Sequence, residues 1–178
     1  MLNLIKKIQN TSFQNNLWQR GARIILGVSG GPDSVCLLDV LAKLAPTYDL
    51  QLIIAHVNYG LRGKDSNQDE KFVSKLAEKY GIPIFMFNPK INKISENILR
   101  DIRYEFFEKV RAKNNFDTIA VGHNLEDQVE TFLMRIIRGS GFQGLSAMRF
   151  KNRNIIRPLL GVTRAEILEY LEKNKLAY

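Results

Sequence analysis

RIILGVSGGPDS, residues 23–34, is the stretch that indicates the fold. Its apolar, β-branched first half (23–28) predicts a buried strand, and a helical pattern begins at Ser34. Between them, two glycines allow a tight turn, and Pro32 has a φ angle suited to the start of a helix. A strand that passes through a glycine-rich loop into a helix is typical of an α/β fold.

The same alternation of short apolar runs and helical patterns continues along the chain. Further strands are predicted at 52–57, 82–87, 118–121 and, as a fifth, 154–159. Helices are predicted at 34–44, 65–80, 95–113 and 126–138, and a last one is capped by Thr163 with Glu166. This order predicts a three-layer, doubly wound α/β fold of mostly parallel strands, with ligands bound beyond the carboxyl ends of the strands.

Composition restricts the class of protein. The chain has 178 residues, a formal net charge of +8 and 45% hydrophobic residues, which favours one globular domain. No apolar run approaches the roughly 18 to 20 residues that span a bilayer, so no membrane role is expected. Residues 1–22 predict an amphipathic helix rather than a signal peptide. Cys36, the only cysteine, excludes an intramolecular disulfide and favours the cytoplasm.

The positive charge is concentrated near the C-terminal end. Seven basic residues and no acidic residue lie between 131 and 165: Arg135, Arg138, Arg149, Lys151, Arg153, Arg157 and Arg164. Such a basic window attracts a polyanion such as RNA, and Phe142 and Phe150 could stack on unpaired bases. A solvated basic surface explains the charge equally well.

The loop at Ser29–Ser34 has the composition of a phosphate site. Its backbone amides, its two serines and the helix start together favour an anion. It is not a Walker A loop, because it has no lysine, and Asp33 would repel a bare phosphate. A carboxylate beside phosphates is reasonable if it holds Mg²⁺. The alternative is a simple turn and helix cap.

A second polar cluster surrounds His123, where a predicted strand leads into a helix. His123, Asp127 and Glu130 are spaced to share one helix face. The apolar residues of that helix predict its buried side: Val129, Phe132, Leu133, Ile136 and Ile137. The alternative is a helix start that carries acids only because they favour the positive end of the helix dipole.

SGGPDS resembles the PP-loop of the N-type ATP pyrophosphatases, which cleave ATP between the α- and β-phosphates. Other segments resemble one branch, the tRNA(Ile)-lysidine synthases: HVNYGLR (56–62), RDIRY (100–104), GHNLEDQVET (122–131), RGSG (138–141) with GL (144–145), and IRPLL (156–160). The resemblance implies an adenine nucleotide alpha hydrolase-like fold, with residues 23–178 as the ATP-binding catalytic domain. It also implies a reaction in which ATP and Mg²⁺ activate carbon 2 of the wobble cytidine in the CAU-anticodon isoleucine tRNA. Free L-lysine then displaces AMP.

The resemblance implies roles for individual residues. ATP is expected at Ser29, Gly30, Gly31, Pro32, Asp33, Ser34, His56 and Arg100. Asp33, Arg103 and His123 are expected to be catalytic, Asp33 to hold Mg²⁺, and Asp127 and Glu130 to bind lysine. The tRNA is expected at Arg135, Arg138, Arg149, Lys151 and Arg153. For Arg100 and Arg103, pairing with Asp101 or Glu105 on a solvated helix is nearly as reasonable.

Three departures from the family pattern leave alternatives open. Tyr59 stands where a second histidine is common, and Glu126-Asp127 stand where paired aspartates are frequent. The family also continues into tRNA-binding domains that these 178 residues do not include. One alternative is therefore a truncated nucleotide-binding module without catalysis. Another is a base thiolase of the same fold, although such enzymes typically carry paired cysteines. The sequence does not decide between a monomer and a homodimer.

Overall fold

A computed structural model describes residues 4–61, 64–91, 94–137, 139 and 147–178. The strands are β1 (Arg23–Gly27), β2 (Gln51–Val57), β3 (Ile84–Phe87), β4 (Thr118–Ala120), β5 (Lys151–Asn152) and β6 (Ile155–Ile156). The helices are α1 (Leu4–Gln14), α2 (Pro32–Tyr48), α3 (Lys64–Tyr80), α4 (Glu96–Asn114), α5 (Leu125–Ile137) and α6 (Arg164–Lys173). In this part of the chain, no helix is both long enough and apolar enough to cross a bilayer.

The strands form one sheet in the order β3-β2-β1-β4-β6-β5. All neighbouring pairs are parallel except β5 and β6, which form an antiparallel pair. The mostly parallel α/β fold predicted from the sequence is therefore confirmed. Strand β1 lies between β2 and β4, and the chain winds outward from it in both directions. The carboxyl end of β1 is thus the place where such a sheet accepts a ligand.

Helices cover both faces of this sheet. On one face, α2 packs with α1 and α6 in a cluster that includes Ile8, Leu41 and Leu171. On the other face, α4 contributes Phe107 and Val110, which pack on residues of β1, β2 and β4. Because one cluster lies on each face of the sheet, the fold has three layers: helices, sheet and helices. This packing fixes the loops at the carboxyl edge of the strands.

The predicted fifth strand, 154–159, differs from the structure. The chain instead forms a hairpin of β5 and β6, in which Lys151 pairs with Ile156 and Asn152 with Ile155. Arg153, at the turn, has the left-handed φ of 54°. Beyond β6 the backbone turns, since Pro158 has no N–H to continue a ladder. The apolar residues that follow, Leu159 and Leu160, are buried without being a strand.

Candidate functional site

The loop Ser29–Ser34, called the glycine loop below, leads from β1 into α2 and is shaped by one hydroxyl. Oγ of Ser34 accepts hydrogen bonds from the amides of Ser29 (3.2 Å) and Gly30 (3.1 Å) and donates to the carbonyl of Gly31 (2.8 Å). Gly30 has a φ of 96°, which only glycine adopts without strain. Because the proton of Ser34 is used inside the loop, its role in this structure is to hold the loop's shape. Its contact with ATP stays a prediction.

Two further glycines allow close approaches around the glycine loop. A Cβ atom on Gly122, just after β4, would lie 3.1 Å from the carbonyl carbon of Asp33. A Cβ atom on Gly27 would lie 2.6 Å from the ring of Phe107. A larger residue would push the backbone at Asp33 by a few tenths of an ångström in the first case, and would force the ring of Phe107 to shift in the second. The strands therefore hold the start of α2 at a fixed distance from the segment that carries His123.

Asp33 lies in the first turn of α2, and its side chain is 23% exposed. Its Oδ1 accepts a hydrogen bond of 3.2 Å from the side-chain amide of Asn124. Its Oδ2 lies 3.5 Å from the guanidinium of Arg164. Neither Asn124 nor Arg164 was predicted as a site residue. These two residues are 91 and 131 positions away from Asp33, so no local sequence pattern could predict their contacts with it.

The surroundings of Asp33 fit a Mg²⁺ ion that arrives with a nucleotide. Within the described ranges, no group of three or more His, Cys, Asp or Glu side chains could hold a metal by itself. Mg²⁺, however, is usually bound by one or two carboxylates together with substrate phosphates. A single carboxylate beside the glycine loop matches that pattern, and the site of the metal remains a proposal.

His123 is held as a neutral hydrogen-bond donor. Its Nδ1 accepts a bond of 3.1 Å from Nε of Arg157. Burial, followed by the positive charge of Arg157, lowers the pKa of His123 to about 4. A neutral ring that accepts at Nδ1 carries its proton on Nε2. His123 can therefore donate to an anionic oxygen without itself being charged.

Arg157 is a residue whose place sequence reasoning missed. It was counted in the basic window as a surface charge, but it is only 5% exposed. Besides Nδ1 of His123, its guanidinium reaches the carbonyl of Arg149 at 3.0 Å. The sequence did contain one signal for Arg157, because the IRPLL segment that includes it is one of the segments that resemble the family. The structure gives Arg157 the task of orienting His123.

Arg103 and Arg100 approach the site from α4. Both guanidinium groups lie over the ring of Tyr104, with their carbons 5.6 Å and 5.7 Å from its centroid. Arg103 lines the cavity beside the glycine loop, and its buried Nε has no hydrogen-bond partner among the described residues. Arg100 is exposed. Of the two, Arg103 is therefore better placed to meet a phosphate.

Two cavities meet at the glycine loop. The first, of about 180 Å³, lies between the loop and α4, and includes Ser29, Gly31, Asp33, Ser34, Arg103 and His123 in its lining. The second, of about 570 Å³, lies beside the end of β2 and shares Ser29 and Gly31 with the first. His56 lines it and is fixed by a 2.8 Å bond between Nδ1 and the carbonyl of Val28. Larger cavities exist between α1 and α6 and between β3 and α4, but neither touches the glycine loop.

Helix α5 begins with a reciprocal cap. The amide of Asn124 donates to the carboxylate of Asp127 (2.9 Å), and the amide of Asp127 donates to the side chain of Asn124 (2.9 Å). Asp127 thus caps the helix start, which was the alternative interpretation of these acids. Glu130, one turn further, is exposed. Binding of lysine by Asp127 and Glu130 stays a prediction.

The predicted buried side of α5 is wrong. Its apolar residues are 40% to 79% exposed: Val129, Phe132, Leu133, Ile136 and Ile137. None of the 13 residues of α5 is buried. The helix follows β4, whose outer neighbour β6 has only two residues, so α5 has little sheet to cover. The periodicity identified an apolar face, but it could not show whether another element covers that face.

The basic residues predicted to bind tRNA fall in two places. Arg149, Lys151 and Arg153 are exposed on or beside the β5–β6 hairpin, and Lys151 donates to the carbonyl of Asn16 at 2.9 Å. Arg135 lies on α5. Arg138 lies outside the described residues. The hairpin therefore presents three cations at one edge of the sheet, and their contact with RNA stays a prediction.

Comparison with known proteins identifies related sequences. The family described as the PP-loop domain matches residues 2–178. The tRNA(Ile)-lysidine synthase of Clostridium tetani is 43% identical over 97% of this chain and 39% of its own length. That of Clostridioides difficile is 42% identical over the same shares. The chain therefore spans about two fifths of the length of these relatives.

Solved structures support the fold. The U34-tRNA thiolase NcsA from Methanococcus maripaludis, which carries a 4Fe-4S cluster, superposes with a TM-score of 0.80 at 22% identity. That match covers 98% of this chain and 64% of the thiolase. The NH3-dependent NAD synthetase from Campylobacter jejuni superposes with a TM-score of 0.57 at 13% identity, over 97% and 71% of the two chains. At these identities the likeness concerns the fold alone.

Proposed function

The chain belongs to the PP-loop domain family, and from that premise we propose that it ligates L-lysine to carbon 2 of the wobble cytidine in the CAU-anticodon isoleucine tRNA. ATP is consumed, and the products are lysidine, AMP and pyrophosphate. The observation that carries the proposal is the convergence of the glycine loop, Asp33, Arg103 and His123 on one cavity. The identity with lysidine synthases over nearly the whole chain supports the choice of substrate.

The first step is adenylation of the base. The cytidine oxygen attacks the α-phosphorus, a new P–O bond forms, and the bond to the β-phosphate breaks to release pyrophosphate. Neutral His123 donates from Nε2 to a phosphate oxygen, and Arg103 offsets the negative charge that develops on the leaving group. A Mg²⁺ ion held by Asp33 would neutralise charge on the phosphates.

The second step transfers lysine. The ε-amine attacks carbon 2, a C–N bond forms, and the C–O bond to AMP breaks, so that the amine nitrogen must lose a proton. A carboxylate near the amine is suited to hold the ammonium form and to accept that proton. Glu130 is the better candidate, because Asp127 already accepts the amide of Asn124. The tRNA approaches across the basic hairpin, whose charge favours a phosphate backbone.

Sulfur transfer, the chemistry of the thiolase with the same fold, has little support here. Cys36 is the only cysteine of the chain, and it is fully buried in α2. Burial, with the nearby charges of Asp39 and Asp33, raises the pKa of its thiol to about 12. A thiol of that kind neither carries a persulfide readily nor ligates a cluster alone. A module that merely binds nucleotide would not require the carboxylates of Asp33, Asp127 and Glu130 together with His123 beside the phosphate loop.

The test is transfer of labelled lysine. The purified chain is incubated with ATP, Mg²⁺, labelled L-lysine and a transcript of the CAU-anticodon isoleucine tRNA, and acid-insoluble label is counted. We expect label that depends on ATP and is lost when the wobble cytidine is replaced by uridine. ATP binding without any transfer of lysine would contradict the proposal and favour the nucleotide-binding module.

A further inference from the structure

Arg164 is a cation beside the glycine loop that takes no part in the two proposed reaction steps. It is the first residue of α6, and its guanidinium lies 3.5 Å from the carboxylate of Asp33. Its side chain is 55% exposed. An ion pair of this length and exposure is weak and exchanges its partner easily. The contact therefore places Arg164 near Asp33 without committing its guanidinium to it.

The backbone of Arg164 is held from several sides. Its amide donates to the carboxylate of Glu126 in α5 at 2.9 Å. The preceding Thr163 forms a reciprocal capping box with Glu166. Glu166 in turn accepts a 2.7 Å bond from Lys7 of α1. Only the side chain of Arg164 is left to move, and it starts at a fixed point next to the glycine loop.

Two arginines lie near the glycine loop, and they belong to helices on opposite faces of the sheet. Arg103 comes from α4, on one face of the sheet, and Arg164 comes from α6, on the other. Without Arg164, the negative charge of Asp33 would repel the phosphates on the α6 side of the loop. An arginine there offsets that charge, and its planar fork fits two oxygens of a phosphate group.

We propose that Arg164 binds the β- and γ-phosphates of ATP, and the pyrophosphate that leaves, from the α6 side of the glycine loop. The inference deepens the proposed function and rests on it for the identity of the nucleotide. On binding, the guanidinium exchanges its long contact with Asp33 for phosphate oxygens. Asp33 is then released to face the metal that accompanies the nucleotide.

The experiment is calorimetric titration of wild type, Arg164→Ala and Arg164→Lys with ATP, with pyrophosphate and with AMP. We expect Arg164→Ala to weaken ATP and pyrophosphate by about tenfold, as for the loss of one charge-assisted contact. AMP, which lacks the β- and γ-phosphates, should bind as in wild type, and lysine at 164 should restore part of the loss. Lys173→Ala, which removes one exposed charge from the last turn of the same helix, is the matched control and should change nothing.

A second set of titrations in EDTA separates direct contact from an effect through Asp33. A loss that persists without metal supports a direct contact, and a loss seen only with Mg²⁺ overturns it. Unchanged binding of ATP and pyrophosphate in Arg164→Ala also overturns it, and so does an equal loss for AMP. If wild type binds no ATP, the proposed function fails, while the pyrophosphate titrations still decide whether Arg164 holds that anion.

Discussion

Helices α2 and α5 both begin at the candidate site, but the fold holds them in different ways. Nine of the 17 residues of α2 are buried, whereas none of the 13 residues of α5 is. Helix α2 lies in the largest core cluster, between α1, α3 and α6. Helix α5 is attached at its start, where the amide of Leu125 donates to the carbonyl of Val162 and Glu126 accepts the amide of Arg164.

This difference separates the two halves of the proposed chemistry. The glycine loop and Asp33 are carried by a helix that the core holds rigidly, so the phosphate end of the site is preformed. The carboxylate proposed for lysine, Glu130, is carried by a helix whose apolar face is not covered by any described element. We therefore expect changes in α2 to affect the whole fold and changes in α5 to affect mainly the acceptor end of the reaction.

The largest effect is expected from one substitution made in both helices. Leu41→Ala in α2 removes a fully buried side chain and should lower the free energy of unfolding by about 2–5 kcal/mol. Leu133→Ala in α5 removes a side chain that is 51% exposed. This substitution should change the free energy of unfolding by about 0.5 kcal/mol or less. Urea unfolding followed by circular dichroism measures both. Equal losses in the two variants would break the comparison.

Asp33→Ala should abolish release of pyrophosphate, lowering the rate by about 100-fold or more, because the carboxylate acts on the phosphates and their metal. The fold should stay intact, since the side chain of Asp33 is 23% exposed and its contacts with Asn124 and Arg164 are polar. Pyrophosphate release and the melting temperature are measured together, with Glu172→Ala, an exposed acid of α6, as the control. Turnover at the wild-type rate in Asp33→Ala would refute the assignment.

Glu130→Gln should act on lysine alone. We expect the KM for lysine to rise by about tenfold, since a neutral amide replaces the charged partner of an ammonium group. The affinity for ATP should not change, because Glu130 is exposed and lies beyond the start of α5, where Asn124 contacts Asp33. Lysine-dependent kinetics and ATP titrations of the same variant check both statements. A parallel loss of ATP affinity would mean that the two helices are coupled.

The smallest effect expected is a dependence of stability on pH. Burial, together with Arg157, lowers the pKa of His123 to about 4 in the folded protein, against an ordinary value of 6.5. Between these values the unfolded chain binds a proton that the folded chain does not, so stability falls as the pH drops from 6.5 towards 4. The loss at pH 6, relative to pH 8, should be on the order of 1 kcal/mol. Unfolding of His123→Gln should show a smaller loss over the same range, and an identical loss would contradict the shift.

Local sequence signals predicted the elements that position the site. The alternation of apolar runs and helical patterns predicted the parallel sheet, and the Thr163–Glu166 capping box is present as expected. The glycine loop could be recognised because all the residues that define its motif lie within six consecutive positions, 29–34. These features depend on neighbours in sequence, and for that reason they could be predicted.

The features that sequence analysis missed depend on distant contacts. Arg157 orients His123 from 34 residues away, and Arg164 reaches Asp33 across 131. Counting charges treats every arginine of the basic window alike, so it could not distinguish the buried Arg157 from the exposed Arg164. The apolar stripe of α5 was visible, but whether a helix face is covered depends on the width of the sheet beneath it.

The most direct test of the central claim, that the cavity between the glycine loop and His123 cleaves ATP at the α-phosphate, is the identity of the nucleotide product. ATP labelled at the α-phosphate is incubated with the chain, Mg²⁺, lysine and the CAU-anticodon isoleucine tRNA, and the products are separated by chromatography. We predict labelled AMP that forms only when the tRNA is present, with one pyrophosphate for each AMP. Labelled ADP, or AMP that forms equally well without the tRNA, would contradict the account.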